Sequence, residues 1–166
     1  MNSKKIAFGG IATALSIIIL YFTNIIPINT LAILTLTSLI IPSVIILTDL
    51  RTGIITFIAT SLIGYFIVPI NYLLMYSIFF GIYGIVKAFI EKINNIVVEI
   101  ILKVLYFNVA LFSGYFLLGL FIGEIVVKIP LWMAFLVAEV VFIVYDYFLT
   151  KFISVFIANK DKYIKQ

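Results

Sequence analysis

Six apolar runs, each long enough to cross a lipid bilayer, account for most of this chain. Hydrophobic residues make up 65% of its 166 residues and charged residues only 11%, so the few charges separate the runs. A membrane-spanning helix needs about 17 to 25 mostly apolar residues. The runs that fit are 6–22, 30–48, 52–68, 71–87, 104–122 and 131–150. The sequence therefore predicts a single transmembrane domain that covers residues 1–166.

The composition of the runs favours helices over membrane-spanning strands. Such strands alternate between apolar and polar residues, whereas these runs are continuously apolar. The connections are too short to hold a soluble domain. We expect an all-α membrane protein, a compact bundle of six transmembrane helices, with both termini on the same side.

Basic residues predict the orientation of this bundle. Ten of the eleven lie on the side shared by the termini, and Lys128 alone lies on the other. The ten are Lys4, Lys5, Arg51, Lys87, Lys92, Lys103, Lys151, Lys160, Lys162 and Lys165. Because positive residues concentrate in cytoplasmic connections, we expect cytoplasmic termini and a multi-pass location in the cell membrane. This orientation explains the net charge of +4 without a nucleic-acid partner.

The residue types that most often perform catalysis or bind metals are scarce. The chain has no Cys and no His, which removes thiolate and imidazole ligands and the usual proton shuttle. It contains no phosphate-binding glycine loop and no nucleophile–His–Asp combination. We therefore expect a protein that is not an enzyme and has no metal site and no cofactor. A membrane-embedded enzyme that uses isolated carboxylates is the weaker alternative.

The first run carries small residues four positions apart, in the pairs Gly10 and Ala14, and Ala12 and Ser16. In lipid, such faces let another helix approach closely and gain packing contacts. The functional interpretation is a docking face for a partner protein, and the alternative is packing against the other five helices.

Lys4 and Lys5 precede this run as in a signal peptide, but no small-residue cleavage site follows. We expect the helix to be retained.

Glu139 is the carboxylate that the sequence places deepest in the membrane. It lies about nine residues past Pro130, which at 1.5 Å per residue is roughly 13 Å below the boundary of a ~30 Å core. An ionisable group at that depth is costly and is usually functional. We interpret Glu139 as a substrate or ion contact, with Tyr115 at the same depth across the last hairpin. The alternative is a structural carboxyl.

Polar and aromatic residues also converge at the predicted outer connections. They are Asn24, Asn29, Asn71, Tyr72, Tyr76, Glu124, Lys128 and Trp132. An apolar bundle with a few polar groups near one opening is the usual form of a small-ligand site. The alternatives are residues that only face water and, for Trp132, an interfacial aromatic anchor. The predicted substrate-binding residues are Glu139, Trp132, Asn71, Tyr72, Tyr76, Tyr115 and Asn29.

The whole chain resembles the S component of energy-coupling factor transporters. The resemblance is carried by six helices, by the opening Lys-Lys-Ile-Ala with Gly-Gly-Ile-Ala-Thr-Ala-Leu-Ser, and by a helical pair from Arg51-Thr52-Gly53 to Gly81-Ile82-Tyr83-Gly84. In that family the S component binds a vitamin, another micronutrient or a transition metal at its outer end. It associates with a transmembrane T component and two cytoplasmic ATPases. The resemblance implies docking of the T component at Gly10, Ala12, Ala14 and Ser16, and the lack of His favours an organic micronutrient.

The chain also resembles, more weakly, the rod-shape membrane protein MreD in length, helix count and middle helical pair. That family is a scaffold partner in cell-wall elongation and has no transported substrate. Stabilisation by a bound ligand separates the two alternatives, because only a binding protein shows it.

Overall fold

The computed structural model of the chain describes residues 3–122 and 130–164, and every regular element within them is helical. Six helical stretches are long and apolar enough to cross a membrane. They are Ser3–Ile25, Thr30–Leu47, Leu50–Ile67, Ile70–Ile93, Ile96–Leu120 and Trp132–Ala158. The predictions of helices and of six apolar spans are confirmed, which is the pattern of a multi-pass membrane protein.

Two of the spans consist of more than one helical segment. In chain order the helices are α1 (Ser3–Ile25), α2 (Thr30–Ser38), α3 (Ile40–Leu47), α4 (Leu50–Ile67), α5 (Ile70–Met75), α6 (Ile82–Ile90), α7 (Ile96–Ile122) and α8 (Leu131–Ile164). The second span contains α2 and α3. The fourth contains α5, a π-helical segment at Tyr76–Gly81, α6 and a 3-10 turn at Glu91–Ile93.

The chain divides into two units, which the connection after α7 separates. Unit 1 is Met1–Gly123 and contains α1 to α7, whereas unit 2 is Glu124–Gln166 and contains α8. With 34 residues, α8 is about 51 Å long at 1.5 Å per residue, longer than a ~30 Å hydrocarbon core. The helix therefore continues well past the predicted span 131–150.

The predicted connection 88–103 is mostly helical in the structure. Helix α6 continues to Ile90, and α7 already begins at Ile96. Asn94 has a φ of 53°, in the left-handed region that Asn tolerates better than most residues. The Oδ1 atom of Asn95 accepts hydrogen bonds from two backbone amides in the first turn of α7. These two asparagines make a tight turn, so the charged residues around it lie on helices.

Helices α1 and α4 pack through small and hydroxyl-bearing side chains. The buried residues of α1 are Gly9, Ala12, Thr13, Ser16, Leu20 and Thr23. Those of α4 are Thr52, Gly53, Thr56, Thr60 and Gly64, of which Gly53 faces Ile45 of α3 and Gly64 faces Leu73 of α5. A Cβ atom on Gly9 would lie 3.2 Å from side-chain atoms of both Thr52 and Thr56, so Gly9 allows a close contact between the helices. The hydroxyls of Thr13, Ser16 and Thr56 each donate to the carbonyl four residues earlier, which satisfies them without water.

An apolar cluster fills the interior of unit 1 near the C-terminal ends of α1 and α4. Its buried members are Leu20, Leu34, Val68, Leu73 and Tyr76. They come from α1, α2, the turn after α4, α5 and the π-helical segment. The cluster therefore joins the first four spans just beneath the turn at Pro69, where the sequence predicts a ligand site.

Candidate functional site

Unit 1 has two chemically different ends. At one end, Lys5 Nζ lies 2.7 Å from Asp49 Oδ2, which joins the start of α1 to the start of α4. At the opposite end, the Asn24 side chain donates to the Ile67 carbonyl at 3.2 Å and joins the last turns of the same helices. We call the first the basic end; it holds Lys4, Lys5, Arg51, Lys87, Lys92 and Lys103. We call the second the asparagine end; it holds Asn24, Asn29, Asn71 and Tyr72.

The predicted substrate-binding residues of unit 1 lie at different depths. Asn29 is exposed and directly precedes α2, whereas Asn71 and Tyr72 are half-buried on α5. Tyr76 lies one turn further along the same span and is fully buried. Asn71, Tyr72 and Tyr76 therefore lie on the same span, with Tyr76 the deepest. Tyr115, on α7, is exposed.

The remaining predicted site residues lie in unit 2 or its connection. On α8, Trp132 is exposed and Glu139 is half-buried. Glu124 and Lys128 lie outside the described residues. The expected pairing of Tyr115 with Glu139 joins the two units and stays a prediction.

The buried Tyr76 ring is held by its neighbours. Its centroid lies 6.2 Å from that of Phe57 on α4, and a Cβ atom on Gly81 would lie 2.8 Å from Tyr76 Cζ. Its hydroxyl faces that of Thr60, which is also fully buried. Sequence reasoning did not identify Thr60, although a threonine in the middle of a membrane span is a polar signal.

Tyr76 is also the first residue of the π-helical segment. Such segments are rare and frequently occur at functional sites. Two hydrogen bonds connect this segment to other helices. Ser77 Oγ lies 3.3 Å from Ser61 Oγ on α4, and the Tyr106 hydroxyl of α7 donates to the Ile78 carbonyl at 2.6 Å. The segment therefore has polar links to the spans on both sides of it.

At the basic end, Asp49 links α1 to the first turn of α4. Its Oδ1 atom accepts hydrogen bonds from the amide and the hydroxyl of Thr52, at 2.8 and 2.7 Å, and so caps the helix. The hydrogen bond from the Lys5 ammonium, followed by those from Thr52, holds the pKa of the Asp49 carboxyl well below its usual value. A charged residue in a two-residue turn thus fixes where α4 begins.

A second charged cluster joins the fourth span to α7. Glu91 Oε1 lies 2.7 Å from the fully buried Nζ of Lys87 and 3.1 Å from Nζ of Lys103. Buried lysines are almost always paired, because a lone ammonium is expensive to remove from water. The cluster places lysines from both sides of the Asn94 turn around one carboxylate.

The four predicted docking residues of α1 divide into two pairs. Ala12 and Ser16 are buried within unit 1, next to the close contact at Gly9. Gly10 and Ala14 are exposed, and a Cβ atom on Gly10 would have no atom within 4 Å. We call the exposed pair, together with the exposed Ala7, the small face of α1. A partner that reaches α1 would meet Gly10 and Ala14.

Comparisons of the chain with protein-family models, with curated proteins and with solved structures find no match. Function is therefore inferred from the two ends of unit 1 and from the small face of α1.

Proposed function

We propose that this chain is the substrate-binding S component of an energy-coupling factor transporter for a vitamin or a related small organic micronutrient. The asparagine end faces the outside of the cell membrane and receives the substrate. The basic end and both termini face the cytoplasm. A transmembrane T component docks on α1, and two cytoplasmic ATPases supply the energy.

The division of the small residues on α1 is the observation that carries the proposal. Gly9, Ala12 and Ser16 are used in internal packing, which accounts for their size. Gly10 and Ala14 make no such contact, so packing within unit 1 does not account for the small size of these two residues. In a bilayer, a small exposed face gains dispersion contacts when another helix lies against it. It is therefore suited to a membrane-embedded partner.

The distribution of charge supports the orientation. The described part of unit 1 carries all its basic side chains toward the basic end, and its asparagine end is built from uncharged side chains. Lysine and arginine collect on the cytoplasmic side of membrane proteins. The asparagine end then faces outward, where a nutrient arrives.

The asparagine end also has the chemistry of a small-ligand site. Asn71 and Tyr72 stand half-buried above an apolar cluster whose deepest polar group is the Tyr76 hydroxyl. Sites for small organic molecules combine apolar and aromatic walls with a few polar groups that fix orientation. The absence of charged side chains in this part of the described chain favours a ligand bound through neutral hydrogen bonds and aromatic contacts.

Thermal unfolding of the purified protein with a panel of vitamins and their precursors tests the proposal. A compound present at about 100 times its dissociation constant adds roughly 2.7 kcal/mol of stability. We expect one compound to raise the melting temperature of the wild type and to do so less for Asn71→Ala. If no compound in the panel stabilises the protein, and it co-purifies with cell-wall elongation proteins, the MreD-like scaffold is the better assignment.

A further inference from the structure

Two hydroxyl groups inside unit 1 face each other without completing a hydrogen bond. Thr60 lies in the middle of α4 and Tyr76 at the start of the π-helical segment, and both have 0% of their surface exposed. Within residues 3–122 and 130–164, neither hydroxyl has a partner at hydrogen-bonding geometry. Thr56, one turn earlier on α4, donates to the Thr52 carbonyl at 2.8 Å. A threonine hydroxyl on this helix can thus be satisfied by the helix backbone.

A hydroxyl that is buried without a partner costs free energy, and in a membrane no bulk water is present to relieve the cost. Most buried side-chain polar atoms therefore have a protein or water partner, and exceptions need an explanation. One group that bonds to both would satisfy two such neighbouring hydroxyls. A bound water usually makes about three hydrogen bonds, and a polar atom of a ligand has similar requirements.

The Tyr76 ring is closely packed on at least two sides. The Phe57 ring lies on one side, and Gly81 brings the backbone of the π-helical segment close to Tyr76 Cζ on another. Thr60 lies seven residues before the end of α4 and Tyr76 six residues after the start of α5, so each is roughly 10 Å below the asparagine end. The pair therefore lies beneath the predicted opening.

We propose that Thr60 and Tyr76 together hold one neutral hydrogen-bonding group, an O–H or C=O, in the interior of unit 1. The hydroxyls are neutral donors and acceptors, and the nearest polar side chains along these helices, Ser61, Ser77 and Tyr72, are neutral as well. The group comes from a bound water or from a substrate that enters at the asparagine end. The second source rests on the proposed function, whereas the hydroxyl pair does not.

The test compares unfolding of ligand-free protein in detergent for the variants Tyr76→Phe, Thr60→Val and the double variant. Tyr106→Phe and Thr56→Val are matched controls, because each removes a hydroxyl with a described hydrogen bond. Thr60→Val keeps the proposal testable if Tyr76→Phe does not fold. The same proteins are then melted with the vitamin and precursor panel.

If a water is held, each single variant lowers the melting temperature about as much as its control, and the double variant is no more stable than the singles. If a substrate group is held, the singles melt at or above the wild-type temperature, and the compound that stabilises the wild type binds about tenfold more weakly.

The proposal is overturned if the double variant recovers the stability that the singles lose, because the hydroxyls then bond only to each other. It is also overturned if the singles raise the melting temperature and bind the panel compound normally. If no compound stabilises the wild type, the proposed function fails separately. The ligand-free melting temperatures alone then decide whether the hydroxyl pair holds a group. A rise in the melting temperature of the single variants overturns the proposal.

Discussion

The hydroxyl of Tyr106 donates a 2.6 Å hydrogen bond to the carbonyl oxygen of Ile78, in the middle of the π-helical segment. A π-helix shifts the backbone hydrogen bonds from the i+4 to the i+5 position, which changes where its carbonyl groups point. The Tyr106 ring also stacks on Tyr83 at a centroid distance of 5.6 Å. Helix α7 is thereby attached to the fourth span by a polar contact with the π-helical segment and an aromatic contact with α6.

Replacing Tyr106 with Phe should separate these two contacts. The variant keeps the ring on Tyr83 and loses the bond to Ile78, so we expect a loss of about 1 kcal/mol in the free energy of unfolding. Reversible unfolding in mixed detergent measures it. Tyr65→Phe, at an exposed position on α4, is the control. Equal stability of the Tyr106 variant and the wild type would contradict the importance of the bond.

Acid should weaken the Lys5–Asp49 ion pair that joins α1 to α4. The folded protein holds the Asp49 carboxyl charged and so lowers its pKa, which means that this stabilisation is present above a pH of about 4. It is lost progressively as the pH falls from there toward the lower folded pKa. We expect the wild-type melting temperature to fall below pH 4 more steeply than that of Asp49→Asn. Lys5→Met should reduce the difference most, because the Lys5 bond is the largest cause of the shift.

Hydropathy predicted the six spans but not the irregularities within them. The break between α2 and α3 at Leu39 has a local cause, because Pro42 has no amide hydrogen to donate to the Ser38 carbonyl. That break was readable in the sequence. The π-helical segment was not, since its bonds to Tyr106 and Ser61 come from distant spans. The tight turn at Asn94 also depends on a backbone conformation that an apolar count does not register.

The candidate site was predictable only in part for the same reason. The pattern of small residues on α1 is visible in the sequence, but the threonines that pack against Gly9 are more than 40 positions away. Which ridge is buried and which is exposed therefore depends on tertiary packing. Tyr76 was among the predicted binding residues, whereas its facing residue Thr60 was not. Threonine in a membrane helix usually bonds its own backbone, so the polarity of Thr60 alone did not indicate a binding role until its surroundings were known.

Cysteine labelling should determine the orientation of unit 1. The chain has no cysteine, so single substitutions need no altered background. Asn24 and Lys92 are exposed residues at the asparagine end and the basic end, respectively. We expect Asn24→Cys to react with a membrane-impermeant thiol reagent in intact cells and Lys92→Cys to react only after the cells are opened. The reverse result would place the asparagine end in the cytoplasm and end the proposal of nutrient uptake there.

Two adjacent glycines of α1 offer a matched test of partner docking. Gly10→Leu places a Cβ atom where no atom lies within 4 Å, on an exposed position of α1, so we expect a change in stability within about 0.5 kcal/mol. Gly9→Leu adds the same side chain against Thr52 and Thr56, which should cost about 1 to 3 kcal/mol or more by overpacking. Co-purification with a T component should be lost for the folded Gly10→Leu protein. Normal co-purification of that variant would remove the small face from the interface.

The role of Glu139 on α8 can be decided by replacing it with Gln, which keeps the shape of the side chain and removes its ability to ionise. The sequence places this half-buried residue near the middle of a bilayer, where a carboxylate is retained only for a reason. If the carboxylate contacts the substrate, affinity should fall by about 1 to 3 kcal/mol, the range for a hydrogen bond that involves a charge, while the fold is kept. Titration calorimetry with the compound found by the stability screen measures the change. If Glu139 is structural, the variant should bind the compound with unchanged affinity. Unchanged affinity would therefore remove Glu139 from the binding site and leave the residues of the asparagine end to account for recognition.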